Sequence, residues 1–236
     1  MPRTLILIPA RGGSKGVPRK NLRSVAGAPL VVWTIRQALA LRTPDVDVVV
    51  STDDPEIADI ARAAGAQVPF LRPAELARDD TPTEAAVLHA LDQLTVASRA
   101  PDRVMLLQPT SPVRRRGTLT RALACFEESG ADSLVGVVPQ APFLWRATQP
   151  PTPAYDVTRR PRRQELDPDQ LTYRETGSLY VTAVETYRRD HNRIGSNVAL
   201  FVMDEIEGLD IDTEHDLAVA TAQLRRLADT AQRESA

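Results

Sequence analysis

Thr4–Asn21 reads TLILIPARGGSKGVPRKN, and this stretch decides the architecture. Thr4 to Pro9 is a continuous apolar run ended by proline, the pattern of a short strand buried on both faces. A basic, glycine-containing loop follows at once, from Ala10 to Asn21. Gly12, Gly13 and Gly16 let backbone amides approach an anion, while Arg11, Lys15, Arg19 and Lys20 supply mobile positive charge. A solvated basic turn would have the same composition. Position argues for the binding loop, because ligands of open α/β sheets sit at the carboxyl ends of parallel strands and this loop leaves the first one. The loop lacks the Gly-Lys-Ser/Thr of a Walker loop and the G-x-G-x-x-G spacing of a dinucleotide site, so both of those modes fall.

Beyond the loop, helix and strand alternate. Apolar spacing predicts helices over Pro29 to Leu41, Pro55 to Ala64, Thr83 to Leu94 and Thr118 to Glu128. Buried-strand runs fall at Asp47 to Ser51, Gln67 to Phe70, Arg103 to Leu107 and Ser133 to Val138. This predicts a mostly parallel α/β sheet with helices on both faces, Rossmann-like in its winding. After Pro139 the rhythm breaks at Pro142, Pro150, Pro151, Pro153, Pro161 and Pro168. Phe143, Trp145, Tyr155 and Tyr173 fall in that region, too many aromatics for a disordered tether. The expectation is a single domain over residues 1–236 with an inserted region over about Pro139 to Met203. Strands return inside it at Ser178 to Thr182 and Val198 to Met203, and a final helix runs from Thr213 to about Leu227.

The chain has 236 residues, with 29 basic and 31 acidic side chains. That balance argues against bulk capture of nucleic acid or of an anionic membrane and leaves room for a local positive site. The single cysteine, Cys125, excludes an intramolecular disulfide framework and any multi-cysteine metal cluster. No apolar run approaches the roughly 20 residues needed to cross a bilayer, and Met1-Pro2-Arg3 leads straight into the first strand. The expectation is a cytoplasmic protein with no nucleic-acid or membrane partner. His89, His191 and His215 are too scattered to form a cluster, and His89 reads as a packing or surface residue of its helix.

The run IPARGGSKGVPRKN from Ile8 to Asn21 resembles the signature of the N-acylneuraminate cytidylyltransferases, the CMP-sialic acid synthetases. Collinear echoes follow at Ser51–Asp54 (STDD), Leu71–Ala77 (LRPAELA), Leu107–Pro112 (LQPTSP), Arg160–Gln164 (RPRRQ), Gly177–Val181 (GSLYV) and Asp210–Glu214 (DIDTE). The resemblance implies a nucleotidyltransferase that joins CMP from CTP to the anomeric hydroxyl of a nine-carbon 2-keto-3-deoxy sugar acid and releases pyrophosphate. Synthetases for the eight-carbon acid Kdo usually have a different first loop and rank lower.

Carried over residue by residue, the resemblance implies triphosphate contacts at Arg11, Ser14, Lys15 and Lys20, with Asn21 at the ribose. Arginine grips two oxygens at once and lysine acts as a movable point charge, so each type suits its task. Arg72 and Thr83 correspond to the pyrimidine-recognition loop, although Asp80-Thr81-Pro82-Thr83 departs from the common pattern and Arg72-Pro73 also reads as an ordinary turn. On the acceptor side the resemblance assigns Gln108, Arg163, Gln164 and Arg174; a guanidinium suits a sugar-acid carboxylate. Glu175-Thr176-Gly177 stands where asparagine-glycine is usual. It also implies a homodimer whose inserted regions reach the partner's site.

Asp210 and Asp212 are two apart, which in an extended segment places both carboxylates on one side. Two hard carboxylates completed by phosphate oxygens and water suit Mg2+. Spacing alone favours helix capping at Asp212 or Thr213, and the match to the family's metal motif turns the preference towards Mg2+. Asp53 and Asp54 at the end of the second long strand are further carboxylates that a turn before Pro55 explains equally well. Two other readings stay open: a nucleotidyltransferase for another nucleotide or acidic acceptor, and a non-catalytic nucleotide-binding protein.

Overall fold

The computed structural model describes residues 2–41, 43–96, 100–160, 162, 166 and 171–234. The opening apolar run forms β1 (Thr4–Pro9), and the basic loop then passes through a short hairpin, β2 (Ser24–Val25) and β3 (Ala28–Pro29). Next come α1 (Leu30–Leu39), β4 (Val46–Ser51), α2 (Pro55–Ala63), α3 (Thr83–Val96), β5 (Arg103–Leu107), α4 (Thr118–Ser129) and β6 (Ser133–Gln140). The chain continues through β7 (Trp145–Arg146), β8 (Thr152–Pro153), β9 (Thr172–Ala183), α5 (Val184–Asp190), β10 (Val198–Val202) and α6 (Glu214–Glu234).

Six strands form one sheet in the order β10-β6-β9-β5-β1-β4. The pairs β1/β4, β1/β5 and β6/β10 are parallel, whereas β9 runs antiparallel to both β5 and β6. The mostly parallel α/β reading therefore holds, with one reversed strand at its centre. Because β9 is reversed, its early residues meet the carboxyl end of β5: Leu179 pairs with Leu107, and Gly177 lies beside Gln108. A register shift between Val135 and Val137 accommodates Thr176, whose hydroxyl donates to the Gly136 carbonyl at 3.0 Å.

Two faces of the sheet are buried, as continuous apolar strands require. Ile6, Ile8, Val48 and Val50 face α1 and α2, while Leu5, Leu7 and Val104 face α3 and Tyr187 of α5. A third cluster positions the site: Val17 from the basic loop packs with Val25, Leu30 and Val113 against Ile211, Leu217 and Leu224 of the C-terminal segment. Burying one such side chain contributes roughly 1.5–3 kcal/mol, enough to hold a loop against a helix from the far end of the chain.

Two sequence expectations change here. Gln67–Phe70 is not a strand; only an isolated bridge joins Gln67 to Val49, because the chain turns away towards Arg72. The region from Pro139 to Met203 divides, since β9 and β10 belong to the main sheet and the part projecting from it falls between β6 and β9. There Phe143 and Trp145 each meet the Tyr155 ring edge-on, at 5.3 and 6.5 Å, and Arg160 lies 4.5 Å over Phe143. Among the described residues, no helix is long and apolar enough to cross a membrane.

Candidate active site

The carboxyl ends of β1, β4 and β5 open into a cleft of about 300 Å³. Its lining joins three separate segments: Arg11, Ser14, Lys20 and Asn21 from the basic loop, Arg72 and Thr83 from the loop before and the start of α3, and Gln108 after β5. Sequence separation between them exceeds anything a local motif could bridge. The winding of the sheet brings them together, since each segment leaves or follows a strand at the same edge.

The first half of the basic loop is open. Lys15 is 78% exposed, and its ammonium lies 3.2 Å from the Asp79 carboxylate, which also pairs with Arg11 at 2.6 Å. The hydrogen bond from Lys15, with Arg11 beside it, holds the Asp79 carboxyl below the usual carboxylate range. A carboxylate thus sits where loop cations converge at the cleft. Gly13 faces open space, which leaves its backbone approachable, whereas a side chain on Gly12 would meet Asp54 at 2.6 Å and one on Gly16 would collide with the Asp212 carbonyl. Only Gly13 fits the expected approach to a ligand; the other two are set by packing inside the protein.

The second half is locked. Arg19 adopts a left-handed backbone, φ 53°, and pairs with Glu56 at 2.7 Å and Asp54 at 3.3 Å. The Lys20 side chain is 9% exposed, and its ammonium donates to the Ile211 carbonyl and to the Asp212 carboxylate at 3.1 Å. Asn21 donates to the Arg11 carbonyl at 3.0 Å, and its own buried carbonyl oxygen has no partner. Behind the loop, Asp53 accepts from the Gly12 amide at 3.1 Å and lies 3.7 Å from Arg72. Burial pulls the Arg72 pKa down, partly offset by Asp53, and Arg72 Nε has no hydrogen-bond partner. Asp54 instead caps α2, accepting from the Glu56 and Ile57 amides at 2.8 and 3.2 Å, so the two adjacent carboxylates have different tasks.

The acidic strip reaches the same edge. The Ile211 amide donates to the Thr110 carbonyl at 2.9 Å, which places Asp210 and Asp212 beside the β5 loop. Asp210 accepts from the Ser111 hydroxyl at 3.3 Å, and the Asp212 side chain is 77% exposed. Capping at the start of α6 is carried by Thr213, whose hydroxyl accepts from the Asp216 amide at 3.2 Å, with the Asp216 carboxylate accepting from Thr213 in return at 2.8 Å. Asp212 is therefore free of the capping role that spacing alone suggested. No set of three or more His, Cys, Asp or Glu side chains able to hold a metal occurs among the described residues.

Arg174 does not join the cleft. Its guanidinium donates to the Gly208 carbonyl at 3.1 Å and lines a separate hollow with Glu205, Leu209 and Val219. The reason is its place along the strand: Arg174 pairs with Val138 on β6, outside the part of β9 that pairs with β5. Arg163 and Gln164 lie outside the described residues. Sequence reading missed Asp79, Ser111 and Arg114. The first two lie within segments already singled out, so proximity to Arg72 and Gln108 was a usable signal. Arg114 had none, because Arg114-Arg115-Arg116 reads as a surface charge run and yet Arg114 is buried.

The sheet order, the basic loop and the cleft at the strand ends define an α/β nucleotidyltransferase. Residues 5–149 match the family described as cytidylyltransferase. The chain is 33% identical to the CMP-N,N'-diacetyllegionaminic acid synthase of Legionella pneumophila, over 92% of this chain and 94% of that protein. It is 30% identical to a pseudaminic acid cytidylyltransferase of Campylobacter jejuni over 92% of this chain and 94% of that protein. Against N-acylneuraminate cytidylyltransferase B of Danio rerio it is 32% identical over 98% of this chain, which spans about half (53%) of that longer relative. The chain belongs to the N-acylneuraminate cytidylyltransferase family. A CMP:2-keto-3-deoxy-manno-octonic acid synthetase solved in complex with CTP shares the fold, with TM-score 0.70 and 17% identity over 95% of this chain and 99% of that one. So does a 4-diphosphocytidyl-2C-methyl-D-erythritol synthase of Anaerococcus prevotii, with TM-score 0.67 and 10% identity over the same shares.

Proposed function

We propose that the protein transfers CMP from CTP to the anomeric hydroxyl of an N-acylneuraminate-type 2-keto-3-deoxy sugar acid and releases pyrophosphate. The observation that carries this reading is the convergence of Arg11, Lys20, Arg72, Thr83 and Gln108 on one cleft, with Arg11 and Lys15 already holding the Asp79 carboxylate at its mouth. A site that captures a carboxylate this way is suited to a polyphosphate. In this reading Arg11, Ser14, Lys15 and Lys20 receive the triphosphate, and Asn21 meets the ribose. Arg72 and Thr83 meet the base. Gln108 faces the sugar acid, with Arg163, Gln164 and Arg174 the groups that the family resemblance supplies for it.

The acceptor hydroxyl attacks the α-phosphorus, and fixed cations at the cleft stabilise the charge that builds on the phosphates and the departing pyrophosphate. Asp210 and Asp212 fit Mg2+: both are oxygen donors beside the loop cations, the Asp212 side chain is open to solvent, and phosphate oxygens and water would complete the coordination. Bound there, Mg2+ would neutralise phosphate charge and ease departure of pyrophosphate. We assign the protein to the cytoplasm and to a homodimer; the exposed Leu144, Trp145 and Tyr173 around the projecting segment support the homodimer. Pyrophosphate release measured over four nucleoside triphosphates and a panel of 2-keto-3-deoxy acids, neutral sugars and sugar 1-phosphates tests the whole reading. Turnover is expected with CTP and a neuraminate-type acid. Efficient turnover of a sugar 1-phosphate with none for any 2-keto acid would overturn it.

A further inference from the structure

A third cavity, of about 700 Å³, lies apart from the candidate active site and shares none of its lining residues. It runs between α1 and α6, and the loop from β5 to α4 closes one side. Trp33, Leu41, Leu119, Leu224 and Leu227 give it apolar walls. A volume in this range suits a small organic molecule.

Its polar lining carries one sign of charge. Arg36, Arg114, Arg115 and Arg116 all line the hollow. Arg115 is neutralised by Asp204 at 2.8 Å. Glu207 is also spent, accepting from the Arg115 amide at 2.8 Å and the Thr118 hydroxyl at 2.6 Å. Among the described residues, Arg36 and Arg116 are exposed and have no ion pair; Arg36 only approaches the Trp33 ring, at 5.9 Å. Arg114 is 4% exposed, and its Nε has no hydrogen-bond partner. Burial draws its pKa down to about 9, and the Glu207 carboxylate offsets only part of that shift.

Arg114 also connects the hollow to the cleft. One terminal nitrogen donates to Gln37 at 2.8 Å and Thr34 at 3.3 Å on α1, and the other to the Gln108 carbonyl at 3.2 Å and to the Ser178 carbonyl on β9. Gln108 lines the cleft. We propose that this hollow binds a small organic anion bearing an apolar ring or chain, and that Arg114 couples its occupancy to the Gln108 wall of the cleft. The unpaired Arg36 and Arg116 suit an anion, and the leucine and tryptophan walls suit an apolar body. An anion held in the hollow adds negative charge beside the buried Arg114 and so stabilises the conformation in which that guanidinium holds Gln108 and Ser178.

The test uses the full chain and two fluorescent probes, the anionic 8-anilinonaphthalene-1-sulfonate and its uncharged counterpart N-phenyl-1-naphthylamine. The sulfonate is expected to bind about tenfold more tightly than the neutral probe, a difference of about 1.4 kcal/mol. That advantage should vanish in the Arg36→Ala/Arg116→Ala double variant, whose substitutions are exposed, and Leu227→Glu should weaken both probes. Saturating CTP should not displace the sulfonate. Hydrogen exchange should slow severalfold at the amides of Ser111 and Ser178 when the sulfonate is bound. Equal binding of the two probes, displacement by CTP, or binding unaffected in the double variant would overturn the anion site. Unchanged exchange at those amides would overturn the coupling. Sulfonate binding that falls as the chain self-associates, with association itself lost in the double variant, would assign the hollow to a second copy and end the proposal.

Discussion

Two halves of one loop carry similar charge and meet opposite fates. Arg11 to Lys15 is open, with its cations balanced by the carboxylate of Asp79, itself 40% exposed. Lys20 and Asn21 are built into the protein, where Lys20 is bound to the backbone and side chain of the segment before α6 and Val17 packs against Ile211 between the halves, while Arg19 stays exposed in its pairs with Glu56 and Asp54. The difference teaches that one run of basic residues divides its work. The first half leaves Arg11 and Lys15 beside a carboxylate at the cleft, and the second ties the loop to the acidic strip.

The largest expected effect separates the halves most sharply. Lys20→Ala should lower turnover by at least about a hundredfold and also cost about 2 kcal/mol of stability, because the buried Ile211 carbonyl loses its donor. Steady-state pyrophosphate release and a denaturant midpoint read the two quantities. Stability equal to wild type would mean that Lys20 is no more structural than Lys15. Next, Arg11→Ala and Lys15→Ala should each cost on the order of 3 kcal/mol of transition-state stabilisation. The stability of Lys15→Ala, whose side chain is exposed, should stay within about 0.5 kcal/mol of wild type, and that of the half-buried Arg11→Ala should fall by no more than about 1 kcal/mol. A thermal melt showing a large loss in Lys15→Ala would erase the distinction.

The acidic strip tests the closed half from the other side. Activity should disappear in excess chelator, and Asp212→Asn should raise the Mg2+ concentration for half-maximal rate severalfold, because the amide keeps the shape and removes the charge. The accompanying loss of stability should be under about 1 kcal/mol, as Asp212 is the exposed member of its pair with Lys20. Full activity without divalent metal would sink the metal assignment. The smallest effect belongs to Asp79→Asn. Removing the competing carboxylate frees Arg11 and Lys15, so the Michaelis constant for CTP should fall by a few-fold, more clearly at low salt. A raised constant would show that Asp79 organises the loop and does not compete with the nucleotide.

The strands were legible wherever burial on both faces left a continuous apolar run, as in Thr4–Pro9 and Arg103–Leu107. Gln67–Phe70 misled because a short apolar run beside a parallel strand has the same composition whether it pairs for one residue or for five. The place of Arg174, apart from the cleft, was not legible either: a resemblance aligned by sequence order does not specify how far along a reversed strand a side chain falls. The direction of β9 could not be read locally, since a buried strand has the same apolar pattern in either direction.

By itself the sequence determined the alternation of helix and strand, the place of the basic loop after the first strand, and the family to which the chain belongs. These are set by local periodicity, by proline and glycine, and by the residue types at fixed offsets. The tertiary structure alone decided that Lys20 is buried against Asp212, that Gly12 and Gly16 are needed for close approach to Asp54 and Asp212, and that Asp79 faces Arg11 and Lys15. It alone sent Arg114 inward while Arg115 and Arg116 stayed at the surface. Each of these depends on contacts between segments far apart in the chain. Their energy comes from burial and from charge partners that meet only when the sheet is assembled.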